Sequence, residues 1–150
     1  MARLRCAAGP ATAERATTAV HRTAIQMRFS DTDALGHINN GSFAIYAETA
    51  RLALVRELGD AFQSLILAHL SIDFRRQVMF GEPVEVDTEV VKLGTTSITM
   101  RQVVRAAGEL AAEVQSVVVL FDYATQRPQP LSPDARARLA PYMATRVGSG

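Results

Sequence analysis

The stretch SFAIYAETARLALVREL, residues 42–58, followed by Gly59, decides the fold. Phe43, Ala47, Ala50, Leu54 and Leu58 recur at steps of four, three, four and four, which is the period of one helix face. Gly59 supplies the stop. Ile45, Leu52 and Val55 widen the apolar surface well beyond one stripe. A helix this apolar needs cover from several directions, and a curved sheet can provide it.

Outward from the helix the period changes to two. Upstream, Thr23–Phe29 (TAIQMRF) alternates Ile25, Met27 and Phe29 with polar partners and reads as a first strand. Downstream, Ala68, Leu70, Ile72 and Phe74 alternate with His69, Ser71, Asp73 and Arg75, a strand with one wet face. Val84, Val86, Thr88 and Val90 follow, then Ile98, Met100, Gln102 and Val104, then Leu110 to Tyr123. The connections at Gly81-Glu82-Pro83, Gly94-Thr95 and Ala106-Ala107-Gly108 are short, so the four strands are expected to form an antiparallel meander. Strand, long helix, four strands is an α+β design: one antiparallel sheet curled around one long central helix.

The ends differ from this body. Residues 1–22 are rich in Ala, Thr and Arg without a sustained apolar face, and are expected to be a flexible extension before a domain at 23–143. Cys6 lies in that extension with no base that could be placed beside it. Near the other end, Ser132-Pro133-Asp134 has the order of an N-cap, a first-turn proline and an acid at the positive end of a helix. That helix should run to about Leu139 and stop near Pro141, leaving 144–150 as a tail.

One hundred and fifty residues suit one domain, and 48% hydrophobic with 21% charged residues is the balance of a globular chain. No apolar run approaches the length of a membrane-crossing helix. A single cysteine excludes an internal disulfide and a multi-cysteine zinc site, and the three scattered histidines lack ligand spacing, so no metal is expected. The net charge of +1 divides into +3 over 1–22, −5 over 23–126 and +3 over 127–150. An acidic body with basic ends makes a poor nucleic-acid surface.

Between the first strand and the helix lies SDTDALGHINNG, residues 30–41, too polar and too rich in Asn and Gly to continue a strand. It places the carboxylate of Asp33 seven residues before Asn40, at the start of the helix. A helix start offers unpaired N–H groups and a positive dipole end, a cradle for a developing oxyanion. A carboxylate beside it can activate water or attack directly, a combination suited to acyl transfer to water.

The whole string Arg28-Phe29-Ser30-Asp31-Thr32-Asp33-Ala34-Leu35-Gly36-His37-Ile38-Asn39-Asn40, continued by Phe43, Tyr46, Glu48 and Ala50-Arg51, resembles the hotdog-fold acyl-CoA thioesterases. More narrowly, it is similar to the 4-hydroxybenzoyl-CoA thioesterase-like branch, with D-x-x-G-H-x-N-N before Y-x-E-x-A-R. Phe74-Arg75, Phe80-Gly81-Glu82, Gly94 with Ser97, and Arg127-Pro128 extend the resemblance over roughly residues 23–140. It implies a single hotdog domain that works as a homodimer or homotetramer with active sites between subunits. It also implies hydrolysis of acyl-CoA to carboxylic acid and coenzyme A in the cytoplasm. Coenzyme A is then part of the substrate rather than a cofactor, and a carrier-protein thioester is an alternative donor.

By the same resemblance Asp33 is the general base or nucleophile, and the backbone N–H at Asn40 polarises the thioester carbonyl. Asp31 falls at a more variable place. His37 is read first as a loop-bracing residue and second as a general acid or base, Gly36 as a supporting residue, and Asn39 and Asn40 as caps of the helix. Glu48 is read first as a helical ion pair with Arg51 and second as a reserve acid. Phe43 and Tyr46 are core aromatics that double as pocket walls. Arg75, Arg76, Lys92 and Arg101 are scattered cations of low specificity for the coenzyme A phosphates. Two other functions compete: a hotdog hydratase or dehydratase, for which the Asn-Pro-x-His type of signature is absent, and a non-catalytic acyl-CoA-binding dimer.

Overall fold

The computed structural model describes residues 19–145, and the extension before them, Cys6 included, lies outside the described residues. Helix α1 spans Asn40–Leu58, two residues earlier than its apolar period indicates, because Asn39 caps it. The Asn39 side chain accepts from the Gly41 N–H at 2.8 Å. Gly59, at φ 91°, ends the helix in a conformation that other residues rarely adopt.

The strands are β1 (His21–Ile25), β2 (Leu65–Phe74), β3 (Val84–Leu93), β4 (Ser97–Ala106), β5 (Glu109–Asp122) and the short β6 (Arg127–Pro128). They form one antiparallel sheet in the order β1-β3-β4-β5-β2, with β6 beside β5. Its concave face meets α1 in two apolar clusters. Near the helix start, Phe43, Tyr46 and Ala47 pack with Val86, Val104 and Val114. Near its end, Leu54, Leu58 and Phe62 pack with Val90, Ile98 and Met100. Helix α2 (Pro133–Leu139), capped by Ser132 as expected, brings Leu139 into the second cluster. This is the single hotdog domain, a central helix in a curved antiparallel sheet. Among the described residues no helix is long and apolar enough to cross a membrane.

Four expectations need correction. The first strand ends at Ile25, and Phe29–Asp31 forms a 3-10 turn instead. Asp31 accepts from the Arg28 backbone and guanidinium, so a capping turn wins over period two and leaves Phe29 80% exposed. The first strand also starts at His21, two residues before the expected Thr23, with His21 and Arg22 paired with Thr88 and Asp87 of β3. The meander holds for β3-β4-β5 only, because β2 pairs with β5. The segment after β2 packs on the loop before α1, with Val78 buried and its carbonyl accepting from Ile38 N–H at 2.7 Å, instead of closing a hairpin. Finally, Ile45 and Leu52 of α1 stay 45% and 46% exposed, so the sheet of one chain leaves a flank of the helix bare.

Candidate active site

Two carboxylates start the site, and the chain treats them differently. The 3-10 turn points Asp31 inward, where it is 2% exposed. Its Oδ1 accepts from Arg28 Nε and Nη2, and its Oδ2 from Arg28 N and from the Tyr46 hydroxyl at 2.9 Å. Its carbonyl accepts from Asn39 N–H and the Ser42 hydroxyl. Burial alone would raise the Asp31 pKa, but the bonds from Arg28 and Tyr46 outweigh it and hold the carboxyl below the ordinary aspartate value. Burial and the bond to Asp31 push the Tyr46 phenol the other way, well above its usual value.

Asp33 faces outward. Its Oδ1 accepts from Leu35 N–H at 2.9 Å and His37 N–H at 3.0 Å, an Asx-type turn that fixes the carboxylate's direction. Its Oδ2 has no hydrogen bond among the described residues. Asp33 N–H also donates to the His37 carbonyl at 2.7 Å, and Gly36, at φ 80°, makes the turn between them. The bracing expected of His37 therefore comes from its backbone. The Gly36 carbonyl accepts from Phe80 N–H, which ties this loop to the segment after β2.

Asp33, His37, Asn40 and Phe43 line one cavity of about 460 Å³ with Phe74 and Arg75. At the helix start, Gly41 N–H is taken by Asn39 Oδ1 and Ser42 N–H by the Asn39 carbonyl. Asn39 is therefore the cap. Asn40 is the first helical residue, and its N–H has no partner among the described residues. The cavity thus joins a half-satisfied carboxylate, an open helix N–H and an aromatic wall, where Phe43 and Phe74 meet edge to face at 5.3 Å. Such a place can polarise a carbonyl and deliver a nucleophile to it.

Not every expected residue gathers here. Tyr46 is buried, and its hydroxyl is turned to Asp31 instead of the cavity. Glu48 is exposed two turns along α1 and lines a different cavity. The ion pair expected between Glu48 and Arg51 is replaced by a hydrogen bond from Arg51 Nη1 to Gln102 Oε1 at 3.2 Å. Arg75 lies at the site but is bound to Glu113 at 2.6 Å, and Arg76 to Glu82 at 3.0 Å. Arg101 pairs with Glu89 elsewhere on the sheet. Among the described residues no group of His, Cys, Asp and Glu is arranged to hold a metal ion. Sequence reasoning missed Asp31 and Ser42. The signal available for Asp31 was Arg28 three residues before it, the spacing of a capping turn.

A family model described as Thioesterase-like superfamily matches residues 27–139. The chain is similar to YsmA, an uncharacterised protein of Bacillus subtilis (strain 168), at 30% identity over 80 residues. That match covers 51% of this chain and only 54% of the relative. It is similar to the acyl-CoA thioester hydrolase YbgC of Escherichia coli O6:H1 at 23% identity over 122 residues, 76% of this chain and 91% of that one. Among solved structures it resembles a thioesterase of Thermus thermophilus in complex with coenzyme A and zinc. The TM-score there is 0.74 at 33% identity, covering 80% of this chain and 90% of that chain.

Proposed function

The chain belongs to the thioesterase-like superfamily and is a thioester hydrolase, and from that premise we propose that it hydrolyses acyl-CoA at the Asp33 cavity, releasing carboxylic acid and coenzyme A. The observation that carries this reading is the division of labour within one carboxylate. Oδ1 is spent on Leu35 and His37, while Oδ2 is left for chemistry in the cavity where the Asn40 N–H is also open.

The thioester carbonyl oxygen takes the Asn40 N–H, where the helix dipole stabilises the negative charge that develops. Asp33 then acts by one of two routes, taking a proton from water as that water attacks, or attacking the carbonyl itself to give a mixed anhydride that water opens. In both, the thiolate of coenzyme A leaves and is protonated. A single turnover in heavy-oxygen water separates the routes, because only the anhydride can place the label in the Asp33 side chain. Gly36, His37 and Asn39 serve by holding the loop and the cap. An acyl group on a carrier protein would present the same thioester.

The exposed edge of β2, with Leu67 and Phe74 roughly half exposed, and the bare Ile45 and Leu52 of α1 support assembly with a second copy, as a homodimer or a dimer of dimers. Light scattering tests this.

Activity is tested by trapping the released thiol across short, long and aryl acyl-CoA, with Asp33→Ala alongside. Wild type should release thiol and Asp33→Ala should not. Equal slow rates would sink the catalytic assignment. Hydration of an enoyl-CoA without thiol release would overturn the hydrolase reading in favour of a lyase.

A further inference from the structure

The loop that carries Asp33 is held from outside by the segment after β2. His37 and Met79 stand opposite each other as an isolated antiparallel pair. On either side of them Ile38 N–H donates to the Val78 carbonyl at 2.7 Å and Phe80 N–H to the Gly36 carbonyl at 3.1 Å. The N–H and carbonyl of His37 itself face the other way, where they meet Asp33 Oδ1 at 3.0 Å and Asp33 N–H at 2.7 Å. One strip of backbone, residues 36–38, thus has the 78–80 segment on one edge and Asp33 on the other. Whatever moves 78–80 moves a donor that aims the Asp33 carboxylate.

That segment ends in a tight turn, residues 79–82, closed by Glu82 N–H on the Met79 carbonyl at 3.3 Å, with Gly81 at φ 95° in its third position. The turn has little packing of its own, since Met79 is 46% and Phe80 50% exposed. A side chain holds it instead. Glu82 Oε2 accepts from Met79 N–H at 2.6 Å, and Oε1 accepts from Arg76 Nη2 at 3.0 Å. The Arg76 guanidinium also donates to the carbonyl of Ala106, the last residue of β4, and its Nε lies 3.3 Å from the carboxylate of Glu109 at the start of β5. Glu82 therefore fastens the turn to the end of the β4–β5 hairpin, a rigid part of the sheet. Arg76 and the Met79 N–H hold the Glu82 carboxyl below the ordinary glutamate range, so the fastening is an ionised one.

We propose that Glu82, anchored by Arg76, is a positioning residue for the Asp33 centre: it fixes the turn at 79–82 and, through the backbone strip at 36–38, sets the direction of the Asp33 carboxylate. The inference rests on the thioesterase reading. Glu82 is not among the residues that line the Asp33 cavity, so its influence runs through the backbone and not through the substrate. A base or nucleophile displaced by about 1 Å loses up to about 100-fold in rate, while groups that only bind substrate keep their places. Loss of Glu82 should therefore appear in kcat and leave KM nearly unchanged.

The test is Glu82→Gln, which turns an amide NH₂ toward Arg76 or the Met79 N–H and leaves Arg76 its contacts with Ala106 and Glu109. With an acyl-CoA that the wild type turns over, kcat per folded molecule should fall about 10-fold to 100-fold, with KM within about 3-fold. Amide hydrogen exchange at residues 35–38 should quicken by about 10-fold or more while the amides of β4 keep their rates. Placed on Asp33→Asn, the same change should lower the residual rate by less than about 3-fold, because there is no longer a carboxylate to aim. Arg22→Gln, which removes a comparable ion pair with Asp87 at the other edge of the sheet, should leave kcat at the wild-type value. Should Glu82→Gln fail to fold, Gly81→Ala strains the same turn at its positive φ with open space around the new methyl, and should lower kcat by about 3-fold or more with the same exchange pattern. A wild-type kcat in the folded variant, exchange quickened equally in β4, an undiminished loss on Asp33→Asn, or an equal loss in Arg22→Gln would overturn the proposal. No thiol release by the wild type from any thioester would instead overturn the hydrolase reading, and exchange at 35–38 would still decide whether Glu82 holds the loop.

Discussion

Asp31 and Asp33 stand one residue apart and do opposite work. Asp31 has both oxygens filled, by the Arg28 backbone and guanidinium and by the Tyr46 hydroxyl, beneath a surface that hides it from water. Asp33 is exposed with one oxygen held and one free. A carboxylate with every lone pair engaged and no access cannot reach a substrate, but it fixes what surrounds it. Asp31 ties the strand end, the cap and the helix together through Arg28, Asn39, Ser42 and Tyr46. Asp33 is oriented by the Leu35 and His37 N–H groups, with its second oxygen left unbonded among the described residues. Composition treats the two as equals, and hydrogen-bond saturation separates them.

The sharpest way to break this contrast is to exchange each for its amide. Asp33→Asn keeps an oxygen for Leu35 and His37 N–H but removes the proposed base or nucleophile. Its kcat/KM should fall by roughly 10³-fold, with unfolding free energy within about 0.5 kcal/mol of wild type. Asp31→Asn should do the reverse. It places an amide NH₂ against Arg28 or Tyr46 and should cost about 2–4 kcal/mol in denaturant unfolding, with kcat/KM of the folded fraction down less than about 10-fold. If Asp31→Asn instead abolished turnover in a fully folded protein, Asp31 would belong to the chemistry and the contrast would fail.

Acid sharpens the same point. The folded Asp31 pKa is lowered, so its contribution to stability is fully present above the ordinary aspartate value of about 3.9 and is lost as pH falls through the lowered folded value. The stability gap between wild type and Asp31→Asn should therefore narrow as pH falls below about 4. Asp87 and Glu82, held low by Arg22 and Arg76, add to acid sensitivity in both proteins and cancel in the comparison. A gap that stayed constant into acid would mean Asp31 is not held ionised. Tyr46→Phe removes one of the four bonds and should cost about 1–2 kcal/mol.

Period and punctuation made the fold largely legible. The apolar stripe of α1, the alternation in β3 and β4 and the Ser132 cap all appear in the structure where the residues point. Pairing was not legible. The residues of β2 alternate as any edge or inner strand does, and that alternation does not name the partner β5, which lies far along the chain. The loop was legible as a candidate site because a carboxylate and a helix start lie close in sequence, and the structure puts Asp33 and Asn40 on one cavity. The resemblance distinguished Asp33 from Asp31 by motif position alone, and it is the 3-10 turn of the structure that buries Asp31, with Asp33 beyond it exposed. Arg51 looked like half of a helical ion pair, since spacing alone favours Glu48, and the partner supplied by β4 is 51 residues away.

The smallest expected effect probes how Asp31 is held. Arg28 reaches it from a side chain that is 62% exposed, so the ion pair is open to water on one side. Arg28→Gln leaves the backbone N–H that already donates to Oδ2 at 2.9 Å and leaves Tyr46 in place. What it removes is a partly solvated charge, and exposed pairs are worth about 1 kcal/mol or less. The loss should shrink further at about 1 M salt, where the Debye length falls to about 3 Å, whereas the cost of Tyr46→Phe should not. Urea titrations of the two variants at low and high salt measure both. A loss for Arg28→Gln larger than for Tyr46→Phe, and insensitive to salt, would move the centre of the brace from the buried phenol to the surface arginine.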